Sequence, residues 1–288
     1  GNDQVRFEAS ILTLDPDLEV IAPVREWDLK SRPDEVAYAH ECGVPVPEGA
    51  NDNPYSIDDN LWGRAIECGV LEDPWNEPPH DVWVMTKDPE ETPDTPTYVD
   101  VDFEKGVPVA LDGEKMPLAA LVEKLNQVAG DNGYGRLDLM ENRMVGLKSR
   151  ECYEVPAALT LITAHKALED LTLERDVLHQ KLYLEQTWAT CVYNGQWFSP
   201  LKKALDAFMA ETQKFVTGTV RLKFFKGHCT VMGRKSPCSL YDYGLATYDR
   251  DTTFDEKAAV GFIEIETLSL KTWAKMQGPT SLAAQNLS

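Results

Sequence analysis

Apolar and acidic residues alternate without a break through Val99-Asp100-Val101-Asp102-Phe103-Glu104. Successive side chains of a strand point to opposite faces, so this stretch demands a sheet with one dry and one wet side. Lys105-Gly106 follows as a turn, Val107–Leu111 as the returning segment, and Asp112-Gly113 as a second turn. The pattern recurs later: Val220, Leu222 and Phe224 alternate with Thr219, Arg221 and Lys223, and Lys226-Gly227 turns the chain back. Antiparallel hairpins are therefore built into the sequence.

Helical segments stand between and beside them. "PLAALVEKLNQVAG" has Pro117 near its start and Gly130 past its end. "SRPDEVAYAHECG" has Pro33 in its first turn and Gly43 after its end. Residues 156–215 read as mostly helical. Within them "SPLKKALDAFMAETQKF" carries a Ser199 cap, Pro200 at the start and a stripe of Leu201, Leu205, Phe208 and Thr212. "TLSLKTWAKMQG" predicts a last helix, with a frayed tail from Gly278. Residues 9–24 read as strands around Asp15-Pro16, and "VPVP" as extended chain. "NPYSIDDNLWGRAIECG" reads as a short helix opened by a Ser56–Asp59 capping box. The proline-rich stretch 73–97 reads as a connector over the surface. No fixed-period repeat is present.

The 288 residues suit one large domain or two smaller ones, and 43% hydrophobic content suffices for a core. A net charge of −20 disfavours nucleic acid and anionic lipid as partners, while leaving room for a local basic pocket. The six cysteines are scattered and form no CxxC pair, which fits reduced thiols in a cytosol-like compartment. No run of apolar residues is long enough to span a membrane, and no charged-then-apolar leader opens the chain. The start at Gly1, without Met, suggests a processed or truncated chain.

The usual chemical motifs are missing. The five histidines have neither metal spacing nor paired cysteines nearby, so a metal site is not expected. "GDNGYGR" follows a helix, whereas a dinucleotide loop follows a strand, so it reads as a helix stop. Ser199 of "SPLK" is explained as a cap, and no Gly-x-Ser-x-Gly elbow occurs. Polar clusters are what remain. Asn2, Asp3 and Arg6 would share one face of a helix beginning at Gly1-Asn2-Asp3, beside N–H groups that favour anions. Taken in isolation, the stretch is better explained by a cap with a local Asp–Arg pair. Glu141, Arg143, Lys148, Arg150 and Tyr153 stand among apolar residues, and a solvated strand with ion pairs accounts for them too.

Taken in order, "GNDQVRFE", "VIAP", "PYSIDDNLWGR", "ECGVLEDPWNEPP", "FEKGVPVAL", "GRLDLMENRMVGLKSRECYE", "LTLERDVLH", "VYNGQWFSP" and "GRKSPCSLYD" resemble the argininosuccinate synthase family over nearly the whole chain. The resemblance implies an α/β and α+β fold. Residues 1–45 would be the end of a Rossmann-like nucleotide-binding domain, and 46–264 the α+β synthetase and multimerisation domain. Residues 265–288 would be a C-terminal oligomerisation helix and tail. It implies an ATP-dependent ligation of citrulline and aspartate that releases AMP and pyrophosphate, in arginine biosynthesis. ATP with Mg would be co-substrate, its Ser-Gly-Gly-type loop lying in a part of the family's sequence that this chain lacks. Asp3 would be catalytic and, with Asn2, would bind aspartate. Asn2, Arg6, Ser56, Glu141 and Tyr153 would bind citrulline. Ala65 departs from the family, which usually has serine there. A homotetramer in the cytoplasm, or in the plastid stroma of a plant, is also implied. The competing reading is a non-catalytic fragment or homologue that only binds an amino acid or assembles.

Overall fold

The computed structural model describes residues 2–46 and 54–279. The chain falls into two compact units, Gly1–Leu240 and Tyr241–Ser288.

The first unit opens with helices α1 (Asn2–Leu14) and α2 (Arg32–Glu41). The strands expected from residue 9 are thus replaced by the second half of α1. The helix stops at Leu14 because Asp15 precedes Pro16, whose ring disfavours helical backbone in the residue before it. In α2 the Ser31 side chain accepts from the Asp34 N–H, and Pro33 sits in the first turn as expected.

A hairpin follows: β1 (Ser56–Asn60) and β2 (Gly63–Glu67). This corrects the expected helix, and Ser56 is a strand residue rather than a helix cap. The Ser-x-x-Asp pattern is local, but pairing decides here. Asn60 Oδ1 accepts from Trp62 N–H at 2.8 Å to form the turn, and β2 continues into a sheet. Gly63 (φ +156°) is required there, since a Cβ would lie 2.5 Å from the Glu154 carbonyl oxygen. The stretch 73–97 contains short 3-10 turns and is not wholly superficial, because Val82, Thr86 and Thr92 are buried.

Next come β3 (Thr97–Glu104), β4 (Val107–Leu111), β5 (Glu114–Lys115), α3 (Leu118–Asp131), β6 (Arg136–Asn142) and β7 (Lys148–Glu154). Helices α4 (Pro156–Thr172), α5 (Arg175–Tyr193) and α6 (Pro200–Thr212) precede a last hairpin, β8 (Gly218–Phe225) and β9 (His228–Lys235). Ser199 caps α6 by accepting from the Lys202 N–H, but the buried positions are Lys202, Leu205 and Thr212, and Leu201 is exposed.

Two antiparallel sheets result, ordered β5-β4-β3-β8-β9 and β1-β2-β7-β6. The five-stranded sheet buries Val99, Val101, Phe103, Val220, Leu222 and Phe224 against Leu121 and Leu125 of α3 and Leu161 and Leu168 of α4. The alternation at 99–104 and 219–224 is realised as read. The four-stranded sheet packs Ile66 and Cys152 on Leu71 and Val82. Behind it Glu154, wholly buried, accepts from Arg64, from the N–H groups of Val84, Met85 and Thr86, and from the Thr86 hydroxyl. Those bonds hold residues 82–86 beneath the sheet and leave its other face to the site.

The second unit contains α7 (Tyr243–Ala246), α8 (Ala258–Glu266) and α9 (Leu268–Gln277), the last being the helix expected near the end. Gly1, Pro47 of the expected extended segment and the tail from Thr280 lie outside the described residues.

Candidate active site

β7 carries polar residues on both faces. Arg150, Cys152 and Glu154 point to the packed side, and Ser149, Glu151 and Tyr153 to the opposite one. Register extends that second face across all four strands. Ala65 lies opposite both Asp58 and Tyr153, Glu67 opposite Ser56, and Glu141 opposite Ser149. Ser56, Ala65, Tyr153 and Glu141 therefore share one face, although no side-chain bond joins Ser56 to the others among the described contacts.

At the β6 edge this face meets the N-terminus of α1 and the C-terminus of α5. The Asn2 amide donates to the Tyr193 hydroxyl at 2.8 Å, and its oxygen accepts from the Met144 N–H at 3.1 Å. Arg6 Nε donates to the Tyr193 carbonyl at 2.8 Å, and its guanidinium lies 4.8 Å from that ring's centroid. Arg6 also pairs with Asp3 at 2.9 Å. The shared helix face expected for Asn2, Asp3 and Arg6 is formed, with Asn2 and Arg6 turned inward. The Asp3 side chain, 73% exposed, contacts only Arg6 among the described residues.

Carboxylates dominate the floor. The Tyr153 hydroxyl lies between Glu141 and Glu151, 2.6 Å from Glu151 Oε2, and has one proton for the two. Tyr193 donates to Glu141 Oε2 at 3.1 Å. Arg143 pairs with Glu67 and, at 3.2 Å, with Glu151, while its Nε donates to Ser149 Oγ at 2.8 Å. Among the described residues Glu141 has no cation partner; two phenols hold it. Burial and then the neighbouring carboxylates push the Tyr153 phenol far above its ordinary value. Burial and the Glu141 charge raise Tyr193 likewise, so both phenols are neutral donors at physiological pH. Burial raises Glu67 despite Arg143. Burial opposes the Arg143 charge, but Glu67 and Glu151 outweigh it and its pKa rises.

Such a face offers acceptors to a donor-bearing ligand at Glu141 and a guanidinium at Arg6 for an anion. A polar cleft of about 600 Å³ lined by His80, Trp83, Asp88 and Arg136 lies on the sheet's packed side. Most of its polar groups already have partners: Arg136 and His80 both meet Asp88, and Lys87 meets Asp131. Among the described residues no group of three or more His, Cys, Asp and Glu is arranged to hold a metal ion, and no helix is long and apolar enough to cross a membrane.

Tyr193, Glu151 and Glu67 are the residues that sequence reasoning missed as parts of the site. Only the position of Tyr193, just before the Asn194-Gly195 stop of a helix, offers a local hint, and nothing local links it to Glu141.

Comparison with known proteins bears on this arrangement. The family model described as the arginosuccinate synthase N-terminal HUP domain matches residues 1–45, and the C-terminal domain model matches residues 55–273. A protein of Bacillus licheniformis named argininosuccinate synthase is 58% identical over 284 residues, covering 99% of this chain and 70% of that protein. One of the same name from Rubrobacter xylanophilus is 54% identical over 288 residues, covering 100% and 70%. A third, from Bacillus subtilis, is 59% identical over 271 residues, covering 94% and 67%. The HUP match accords with the α/β character expected of the first segment, and the antiparallel sheets with the α+β character of the rest. Agreement on this scale, with the C-terminal model alone spanning most of the chain, shows that the chain belongs to the argininosuccinate synthase family.

Proposed function

We propose that the protein ligates citrulline and aspartate at the expense of ATP, forming argininosuccinate, AMP and pyrophosphate, as a carbon–nitrogen ligase of arginine biosynthesis. The observation that carries this reading is Glu141, a half-buried carboxylate held by two neutral phenols and, among the described residues, by no cation, next to the inward-turned Asn2 and Arg6. Citrulline brings an ammonium, a carboxylate and a ureido group. Glu141 and Tyr153 would take N–H donors, Arg6 and Ser56 would take the oxygen end, and Asn2 would touch both amino acids. Asp3, open to solvent and close to Arg6, would face the aspartate amine and is the proposed catalytic carboxylate. In the reaction the ureido oxygen attacks the α-phosphate and pyrophosphate leaves; the aspartate amine then displaces AMP and loses a proton. Alignment of the two amino acids is the contribution assigned to these residues. No glycine-rich phosphate loop occurs in the sequence, so no step at the phosphate is assigned to them.

We further propose ATP with Mg as co-substrate and the cytoplasm as the setting, where the free cysteines would stay reduced. Residues 1–45 would close the nucleotide-binding part, 46–264 form the synthetase part and 265–288 form an oligomerisation tail. A homotetramer would use the exposed apolar residues Leu268, Leu270, Trp273 and Met276 of α9. Light scattering of the purified protein measures that assembly.

Pyrophosphate release tests the function. The full-length gene product is expected to release it only with citrulline, aspartate and ATP together. Citrulline-independent release by the full-length product, or none under any condition, would count against the reading.

Ala65 supplies a second test. It lies on the site face opposite Tyr153, and a serine there would add one hydroxyl. A neutral hydrogen bond contributes about 0.5–1.5 kcal/mol, so Ala65→Ser is expected to tighten citrulline roughly two- to tenfold in calorimetric titration. Weaker binding by the variant would remove Ala65 from the citrulline subsite.

A further inference from the structure

The α1 end of the site and the sheet end are joined through one hydroxyl. Tyr193, at the last turn of α5, accepts from Asn2 Nδ2 at 2.8 Å and donates to Glu141 Oε2 at 3.1 Å. Both ends of the Asn2 amide are committed, because its oxygen takes the Met144 N–H at 3.1 Å. A rotated amide would lose both bonds, so the phenol fixes which atoms Asn2 presents. Glu141 is constrained in the same way by Tyr193 on one oxygen and Tyr153 on the other. Backbone spacing supports the arrangement: a Cβ on Gly195 (φ +69°) would lie 2.5 Å from Arg6 Cα, so the end of α5 seats directly on α1. The Tyr193 ring and carbonyl meanwhile hold Arg6 independently of the hydroxyl.

We propose that Tyr193 is a positioning residue that couples the two amino-acid subsites, its hydroxyl orienting Asn2 on the aspartate side and Glu141 on the citrulline side. This rests on the substrate roles given to Asn2 and Glu141 above. The phenol, kept neutral by burial and by the Glu141 charge, has one proton to give and one lone pair to offer, and it uses one for each subsite. A ligand that draws Glu141 into place also settles the phenol and, through it, the Asn2 amide. By linkage the effect runs equally in the other direction.

Tyr193→Phe in the full-length gene product isolates the hydroxyl, because the ring over Arg6 and the backbone carbonyl stay. The KM values for citrulline and aspartate are both expected to rise at least about threefold, since the hydroxyl's neutral bond with Asn2 and its charge-assisted bond to Glu141 are both lost, while the ATP KM stays within about twofold. Glu141→Gln and the double variant complete a cycle. The citrulline loss in the double variant is expected to fall clearly short of the product of the single losses, since Tyr193 acts through Glu141. A lower melting temperature with both amino-acid KM values unmoved would show a purely structural residue and overturn the proposal. Fully multiplicative losses would overturn it as well. If Glu141→Gln itself leaves the citrulline KM unchanged, the citrulline assignment fails first. If Glu141→Gln raises that KM and Tyr193→Phe does not, the coupling role alone fails.

Discussion

Glu141→Gln in the full-length gene product is expected to raise the citrulline KM well beyond tenfold while changing the ATP KM much less. The carboxylate lacks a cation among the described residues and sits between two phenols that cannot neutralise it. A ligand N–H or ammonium meeting it forms a charge-assisted bond contributing about 1.5–3 kcal/mol, roughly ten- to 150-fold in affinity. The amide keeps the shape and removes the charge. It also presents an NH2 group where a donor is due, which deepens the loss. Steady-state kinetics with each substrate varied in turn measure the effect. An unaltered citrulline KM would reduce Glu141 to a phenol-bound strand residue and take the citrulline subsite away from this face.

A large loss of stability is expected at Glu154, one residue beyond Tyr153 and on the opposite face. Its carboxylate takes five donors: Arg64, the Thr86 hydroxyl, and the N–H groups of Val84, Met85 and Thr86. Glu154→Ala removes the buried counter-charge of the Arg64 guanidinium, which keeps the Val82 carbonyl and, at 3.5 Å, Asp59, and it leaves the N–H groups of Val84, Met85 and Thr86 without that acceptor. Removing one member of a buried pair costs about 3–5 kcal/mol. For a chain of this size that corresponds to a fall of about 10 °C in Tm. Glu154→Gln keeps an acceptor oxygen and should lose less. Differential scanning calorimetry of both variants decides it, and an alanine variant melting with the wild type would show that the network relaxes at no cost. Because Glu154 fixes β7 from behind, the alanine variant should also weaken citrulline binding through Tyr153.

Where one face of an element is apolar and the other is not, the chain announces its own structure. β3 and β8 are legible for that reason, and Pro117, Pro200 and the Ser199 cap mark the starts of α3 and α6, although Gly130, expected past the end of α3, lies inside that helix. β7 is readable as a polar strand with ion pairs, but the roles of its two faces are opaque because both are polar. Ser149, Glu151 and Tyr153 line the candidate site face, while Arg150 pairs with Asp138 and Glu154 enters a buried network, and no hydropathy period separates the two sets. Residues 56–67 mislead because a Ser-x-x-Asp pattern satisfies a helix start locally. Only pairing with β7, and the close approach that needs Gly63, makes them a hairpin. The second half of α1 misleads because a short apolar run fits either period, and the helix already begun at Asn2 decides it.

The same division runs through the site. Sequence by itself determined the family, through ordered segments spread over the chain, and singled out Asn2, Arg6, Glu141 and Tyr153 as candidate site residues. Tertiary structure alone decided that Tyr193, 191 positions from Asn2 and 52 from Glu141, stands between them. It also decided that Glu67, Glu151 and Arg143 form the charged floor beside them. Hydrogen bonds of that span are set by how sheet register and helix ends converge, and such convergence leaves no period, spacing or cap along the chain.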